Sequence, residues 1–131
     1  MPAYEIEIIL NRQLADCLAI PAFITDTKGN LIFYNEPAED ILGMRFEETG
    51  EMPVEKWSTV FKQSDENGNI IPPDDLPLVK TLKHALPHHK TFWIESLKGK
   101  RQKISVTAYP IIGRASNFLG AVAIFWKSKD E

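Results

Sequence analysis

Metal or nucleophilic chemistry in this chain would have to begin at its three histidines, His84, His88 and His89, or at its one cysteine, Cys17. His88 and His89 are adjacent, so at the start of a strand they point to opposite faces and cannot readily share an ion. His84 follows Lys83 near the end of a helical stretch, two residues past Leu82 and off the centre of that stretch's apolar side. Cys17 falls on the apolar face of another helical stretch and reads as a packing residue. Being alone, it forms no internal disulfide. Asp65, Asn67 and Asn69 have the alternate spacing of calcium ligands, but Gly68 precedes the third of them and no glutamate closes the loop, so the segment reads as a turn. Asp74 and Asp75 stand where a helix cap is needed. There is no signature of a nucleophile–base–orienter set, a phosphate-cradling glycine loop or paired carboxylates. The expectation is a chain that is not an enzyme and has no metal site.

The 131 residues, 44% hydrophobic and 25% charged, suit one soluble domain. A formal charge of −3 weighs against nucleic acid as a partner. The one basic cluster (Lys98, Lys100, Arg101, Lys103) surrounds Gly99 and reads as a solvated hairpin tip. No run approaches the ~18 apolar residues of a membrane span, and the N-terminus lacks the pattern of a signal peptide, so the cytoplasm is the expected compartment.

Ile6, Ile9, Leu10, Leu14, Cys17 and Leu18 recur at spacings of three and four, which predicts an amphipathic helix ended by Pro21. A hairpin follows, from Ala22 to Thr27 and from Leu31 to Tyr34, turning over Lys28, Gly29 and Asn30. Asn35 caps a short helix that carries Ile41 and Leu42 and stops at Gly43. Val54, Trp57 and Phe61 predict another short helix with Trp57 turned inward. A loop over 65–75 leads to a longer helix with Leu78, Val79, Leu82 and Leu86 on one side. Three strands, about 89–96, 101–109 and 118–127, form an antiparallel meander. The last, Ala121 to Trp126, is apolar on both faces and must be covered on both.

This order of elements resembles the PAS (Per-Arnt-Sim) fold. Asp26, Gly29, Asn35 and Ala38, followed by Leu42 and Gly43, are similar to that family's opening pattern. The stretch from Asp65 to Leu78 resembles a loop-to-helix segment of PAS domains in bacterial sensor kinases, and Gly120 to Trp126 resembles the family's last strand. The resemblance covers about residues 12–127. It implies an α+β fold: a five-stranded antiparallel sheet, short helices on one face and an N-terminal amphipathic helix. The domain plan is a cap or dimerisation helix over 1–19, a PAS core over 20–127 and a tail over 128–131.

The resemblance also implies a sensory role in signal transduction, with a ligand held between the inner sheet face and the helices, or dimerisation without one. The output partner would be a domain such as a histidine kinase, as in a two-component system. Strand alternation in the family's register turns Phe23, Thr25, Leu31, Phe33, Phe92, Ile94, Ile104, Val106, Val122 and Ile124 inward, and Ile41, Trp57, Val79 and Leu82 close the site. The set is almost wholly apolar and suits a small apolar ligand. Flavin is not expected, because Ile94, Ile104 and Val122 stand where flavin-binding relatives carry amides, and Cys17 lies in the wrong element. His84 lies near the position of the axial ligand in heme-binding relatives, which leaves heme as an alternative. Ile6, Leu10, Leu14 and Phe125 are the expected homodimer surface. The same helix residues could instead seal the domain's own sheet.

Overall fold

A computed structural model describes residues 6–60, 62–95, 99 and 101–128. Phe61, the basic residues Lys98 and Lys100, and most of the expected tail lie outside the described residues.

The chain runs α1 (Ile6–Cys17), β1 (Ala22–Thr25), β2 (Leu31–Tyr34), α2 (Glu36–Leu42), α3 (Phe46–Thr49), α4 (Val54–Val60), β3 (Lys62–Ser64), α5 (Pro77–His84), β4 (His88–Glu95), β5 (Arg101–Ile112) and β6 (Phe118–Lys127). Six strands, where five are expected, form one antiparallel sheet in the order β2-β1-β6-β5-β4-β3. The extra strand, β3, has three residues and pairs with the end of β4. It is too short for alternation to declare it.

The sheet separates two apolar clusters. One lies between its inner face and α2, α4 and α5 and includes Phe23, Leu31, Tyr34, Trp57, Leu78, Phe92, Ile104, Val106, Ala123 and Phe125. The other lies between its outer face and α1 and includes Ile8, Ala15, Ile24, Ile32, Phe33, Ile111 and Val122.

Local chemistry fixes the joints. Gly29 turns the first hairpin at a φ of 85°, which a glycine adopts without strain, and a Cβ there would press on Val54 at 3.3 Å. In β6, Gly120 passes so close to β1 that a Cβ would overlap the Thr25 carbonyl. Asn35 caps α2 as expected, its Oδ1 accepting from Ala38 N at 3.2 Å. The same oxygen accepts from Ala22 N at 3.0 Å, and Nδ2 donates to the carbonyls of Ala15 and Ile20 at 2.9 Å each. One buried side chain thereby joins α1, β1 and α2.

Two helix expectations are corrected. Asp74 and Asp75 do not cap α5. They sit in a 3-10 turn (Pro73–Asp75), and the residue before α5 is Leu76, with no side-chain cap. Asp74 instead pairs with Lys83 at 2.7 Å. Leu86 is exposed, because α5 ends at His84 and Ala85 turns the chain away.

The N-terminal helix is turned differently from its pattern. Ile8 and Ala15 are the residues it buries on the sheet, while Ile6, Ile9, Leu10, Leu14 and Cys17 face outward. Cys17 is therefore not a packing residue. The outward side is the more apolar one, the reverse of the usual orientation of a surface helix.

Candidate functional site

A small hollow opens between the inner sheet face and α4 and α5. Its walls are Phe23, Trp57, Gln63, Leu76, Pro77, Leu78, Phe92, Ile94, Ile104, Val106, Ala123 and Phe125, and its volume is about 40 Å³. Trp57 is buried and held by its indole N–H, which donates to the Gly29 carbonyl at 2.8 Å. Phe125 meets Phe23 edge to face at 5.1 Å. Ile41 and Val79 belong to the same inner cluster, and Leu82 packs against it, but none of the three lines the hollow. Thr25, opposite Leu31, is fully buried, and its hydroxyl has no hydrogen-bond partner; the buried hydroxyl of Thr81 in α5 is in the same condition.

The structure thus brings together Phe23, Trp57, Phe92, Ile94, Ile104 and Val106 around the hollow, leaves Thr25, Leu31, Ile41, Val79 and Leu82 outside its lining, and sets three further expected residues on the outer face of the sheet. Phe33 packs on the outer face with α1. The reason is a bulge in β2: Ile24 pairs with Phe33 and Thr25 with Leu31, so Ile32 is extra and the alternation slips by one. Val122 and Ile124 also belong to the outer face, and Ala121, Ala123 and Phe125 to the inner. A strand apolar on both sides has no phase of its own. Pairing of Val106 with Phe125 and Ala108 with Ala123 sets it. Phe125, expected in a dimer surface, is consequently buried in the hollow's wall.

Sequence reasoning missed Gln63, Leu76, Pro77 and Leu78. Gln63 arrives on the unforeseen strand β3 and brings a side-chain amide to the wall. The apolar pattern of α5 does mark Leu78, but Leu76 and Pro77 precede the helical spacing that would have signalled them.

No ionisable side chain lines the hollow among the described residues. Among those residues there is also no group of three or more His, Cys, Asp or Glu placed to hold a metal. The Asp65 segment is a turn, with Oδ1 accepting from the backbone N–H of Asn67 and of Asn69 at 2.9 Å each. Those backbone bonds, that from Asn69 foremost, hold the Asp65 carboxyl below its ordinary range. Tyr34 is shifted the other way by burial, although Thr49 Oγ1 at 3.1 Å partly offsets the rise.

Neither heme nor flavin fits the residues present. Sites for organic ligands typically enclose about 300–1,000 Å³, many times the hollow's volume. His84 is exposed at the end of α5, with its ring against His88 rather than over the hollow. Cys17 lies on the far side of the sheet, on α1.

A second, open concavity of about 730 Å³ lies among α1, β2, α2 and α3, with Arg12, Asp16, Glu36, Glu39, Asp40, Arg45 and Glu47 around Phe33, Tyr34 and Phe46. The Arg12 guanidinium lies 4.6 Å from the centre of the Phe33 ring. Sequence spacing did not reveal it, because its residues come from four elements. No helix among the described residues is long and apolar enough to cross a membrane.

No protein-family model and no curated protein sequence matches the chain. Solved structures do. The PAS domain of Bordetella pertussis BvgS is 13% identical with a TM-score of 0.70, covering 96% of this chain and 89% of that one. The Rhodobacter sphaeroides LOV protein is 13% identical with a TM-score of 0.72, covering 94% of this chain and 68% of that one. The LOV domain of the Erythrobacter litoralis EL346 blue-light-activated histidine kinase is 15% identical with a TM-score of 0.66, covering 86% and 99%. At these identities the likeness establishes the fold.

Proposed function

We propose, from the premise that this chain is a PAS-fold domain, that it is a signalling module which pairs with a second copy through α1 and passes changes in packing to an output domain such as a histidine kinase. The observation that supports this is the outward stripe of α1. Ile6, Ile9, Leu10 and Leu14 are 65, 44, 54 and 53% exposed on a helix that is already docked. Burying such a side chain fully contributes about 1.5–3 kcal/mol, so the exposed half of each still holds about 1 kcal/mol. Three of them on each of two chains give about 6 kcal/mol in a two-fold pair, before the costs of association. Phe125 has no part in that surface.

A second reading, a small apolar ligand in the hollow, is favoured by its almost wholly apolar walls, to which Gln63 adds one side-chain amide. At about 40 Å³ the hollow must widen to take more than a few heavy atoms, and this places the packing route first. Neither reading assigns catalysis to the chain.

Sedimentation velocity of the full chain tests the proposal. The wild type is expected to associate reversibly as its concentration rises. The double variant Leu10→Glu/Leu14→Glu is expected to remain monomeric with the thermal stability of the wild type at dilution where it is not associated, because both positions are solvent-exposed in the single chain. A wild type that stays monomeric at high concentration, or a double variant that pairs equally well, rules the α1 interface out.

A further inference from the structure

His84 and His88 stand where α5 ends and β4 begins, and their ring centres are 5.9 Å apart. Ala85, between them, turns the chain with a φ of 54°. That left-handed conformation is strained for a residue with a Cβ, and here it folds the helix end back over the first residue of the strand. His88 is partly buried on the inner side of the sheet, paired with the small Ala108. Its Nε2 is shut off from solvent and has no hydrogen-bond partner. His84 is exposed above it, and the neighbouring cation Lys83 is drawn away by Asp74.

We propose that His84 and His88 form a two-imidazole site for a late first-row divalent cation, such as Ni²⁺, Cu²⁺ or Zn²⁺, spanning the α5–β4 junction. A neutral imidazole nitrogen is a preferred ligand of these ions. An ion about 2.0–2.1 Å from each nitrogen places two ring centres about 4.5 Å apart at a right angle, about 5.2 Å at the tetrahedral angle and about 6.4 Å in line, so the observed separation lies within reach and closes by less than about 1.5 Å when the ion is bound. The exposed His84 ring is free to turn, and coordination would open the shielded Nε2 of His88 to the ion and give that orphan nitrogen a partner. Water completes the coordination shell. Because α5 walls the hollow and β4 belongs to the sheet, an ion at this junction ties together the two layers between which the hollow lies. His89 takes no part. It points to the opposite face, where its Nδ1 is 2.8 Å from Thr107 Oγ1. The inference does not depend on dimerisation, since the α1 stripe lies beyond the other face of the sheet.

The test is calorimetric titration of the untagged full chain with NiCl₂, repeated on His84→Ala, His88→Ala and His89→Ala, together with the thermal midpoint with and without the ion. Saturable binding of one ion per chain is expected. His84→Ala and His88→Ala should each weaken it about tenfold or more, and His89→Ala should leave it unchanged. Ni²⁺ should raise the midpoint of the wild type by mass action but not that of His84→Ala. Because His84 is exposed, that variant keeps its fold and the comparison holds even where His88→Ala does not. Lack of saturable binding up to about 1 mM, unaltered binding by His84→Ala, or an equal loss in His89→Ala overturns the site.

Discussion

Replacing Asn35 by alanine is the sharpest test of how the two layers are joined. The side chain makes four hydrogen bonds, two accepted from Ala22 N and Ala38 N and two donated to the carbonyls of Ala15 and Ile20. Asn35 is about 1% exposed, so water cannot substitute freely. Losing a helix cap costs about 1 kcal/mol, and each buried group left unpaired costs about 1–3 kcal/mol. The four are not additive, because α1 can shift and readmit water near Ala15 and Ile20. About 3–5 kcal/mol is therefore expected, a large part of the about 5–15 kcal/mol typical of a domain. Urea unfolding followed by tryptophan fluorescence measures it. Asn35→Asp is the informative companion. It keeps both accepted bonds and the cap, but its carboxylate faces two carbonyls that had received donors. It should be destabilised at neutral pH and recover part of the loss on acidification, when the protonated acid can donate to one carbonyl. A loss below about 1 kcal/mol for Asn35→Ala, or an Asn35→Asp variant as stable as wild type at neutral pH, refutes the reasoning.

Three further outcomes are expected. Trp57→Phe keeps a ring in the hollow's wall but leaves the Gly29 carbonyl without the indole N–H, and should cost about 1–3 kcal/mol in the same unfolding assay. Asp65 has a folded pKa below its ordinary 3.8, so its contribution is present above that value and is lost as pH falls through the lower folded one. Asp65→Asn should flatten that limb of an acid titration of stability and lower neutral stability by the same modest amount, since the charged form's contribution is gone. Tyr34 and Tyr109 are both raised above 10.0, chiefly by burial, so their contribution is complete below that pH and lost as pH rises through the folded values. Absorbance titration should show both ionising above 10 while the chain is folded and near 10 once it is unfolded in urea.

How far the sequence could be read depended on whether a residue's neighbours in the chain were also its neighbours in space. The Gly29 turn, the Asn35 cap and the Gly43 stop are local devices, and each stands where its residue type predicts. The inner residues of β4 and β5 were legible because polar and apolar side chains alternate there. β6 has no such alternation, so its facing was settled by a partner strand rather than by its own pattern, and Val122, Ile124 and Phe125 were assigned to the wrong sides. Phe33 was lost to a single extra residue in β2. For α1 the sequence left two readings open, a surface for a second copy or a cover for the domain's own sheet. Its pattern marks an apolar stripe but cannot say what covers it, and of the two readings it is the sheet-sealing one that the structure sets aside, since the helix docks through Ile8 and Ala15. The other three bonds of Asn35 were illegible because they join residues up to 20 positions away.

The parity of the central strands explains why packing alone can connect the two faces. In β1, Phe23 lines the hollow while its neighbour Ile24 packs with the α1 cluster; in β6, Ala123 and Phe125 alternate with Val122 and Ile124 in the same way. A side chain that moves in the hollow moves a backbone whose next residue supports α1. Interiors are too close-packed to absorb such a shift in empty space, and about 40 Å³ of hollow leaves little slack. Asn35 adds a polar tether to the same path, since its amide holds the Ala15 carbonyl in α1 and its oxygen the start of α2. On the proposed reading, the outward stripe of α1 is where this displacement reaches a second copy. A change in the angle at which α1 docks changes the fit of the pair, and no cofactor is needed to bring it about.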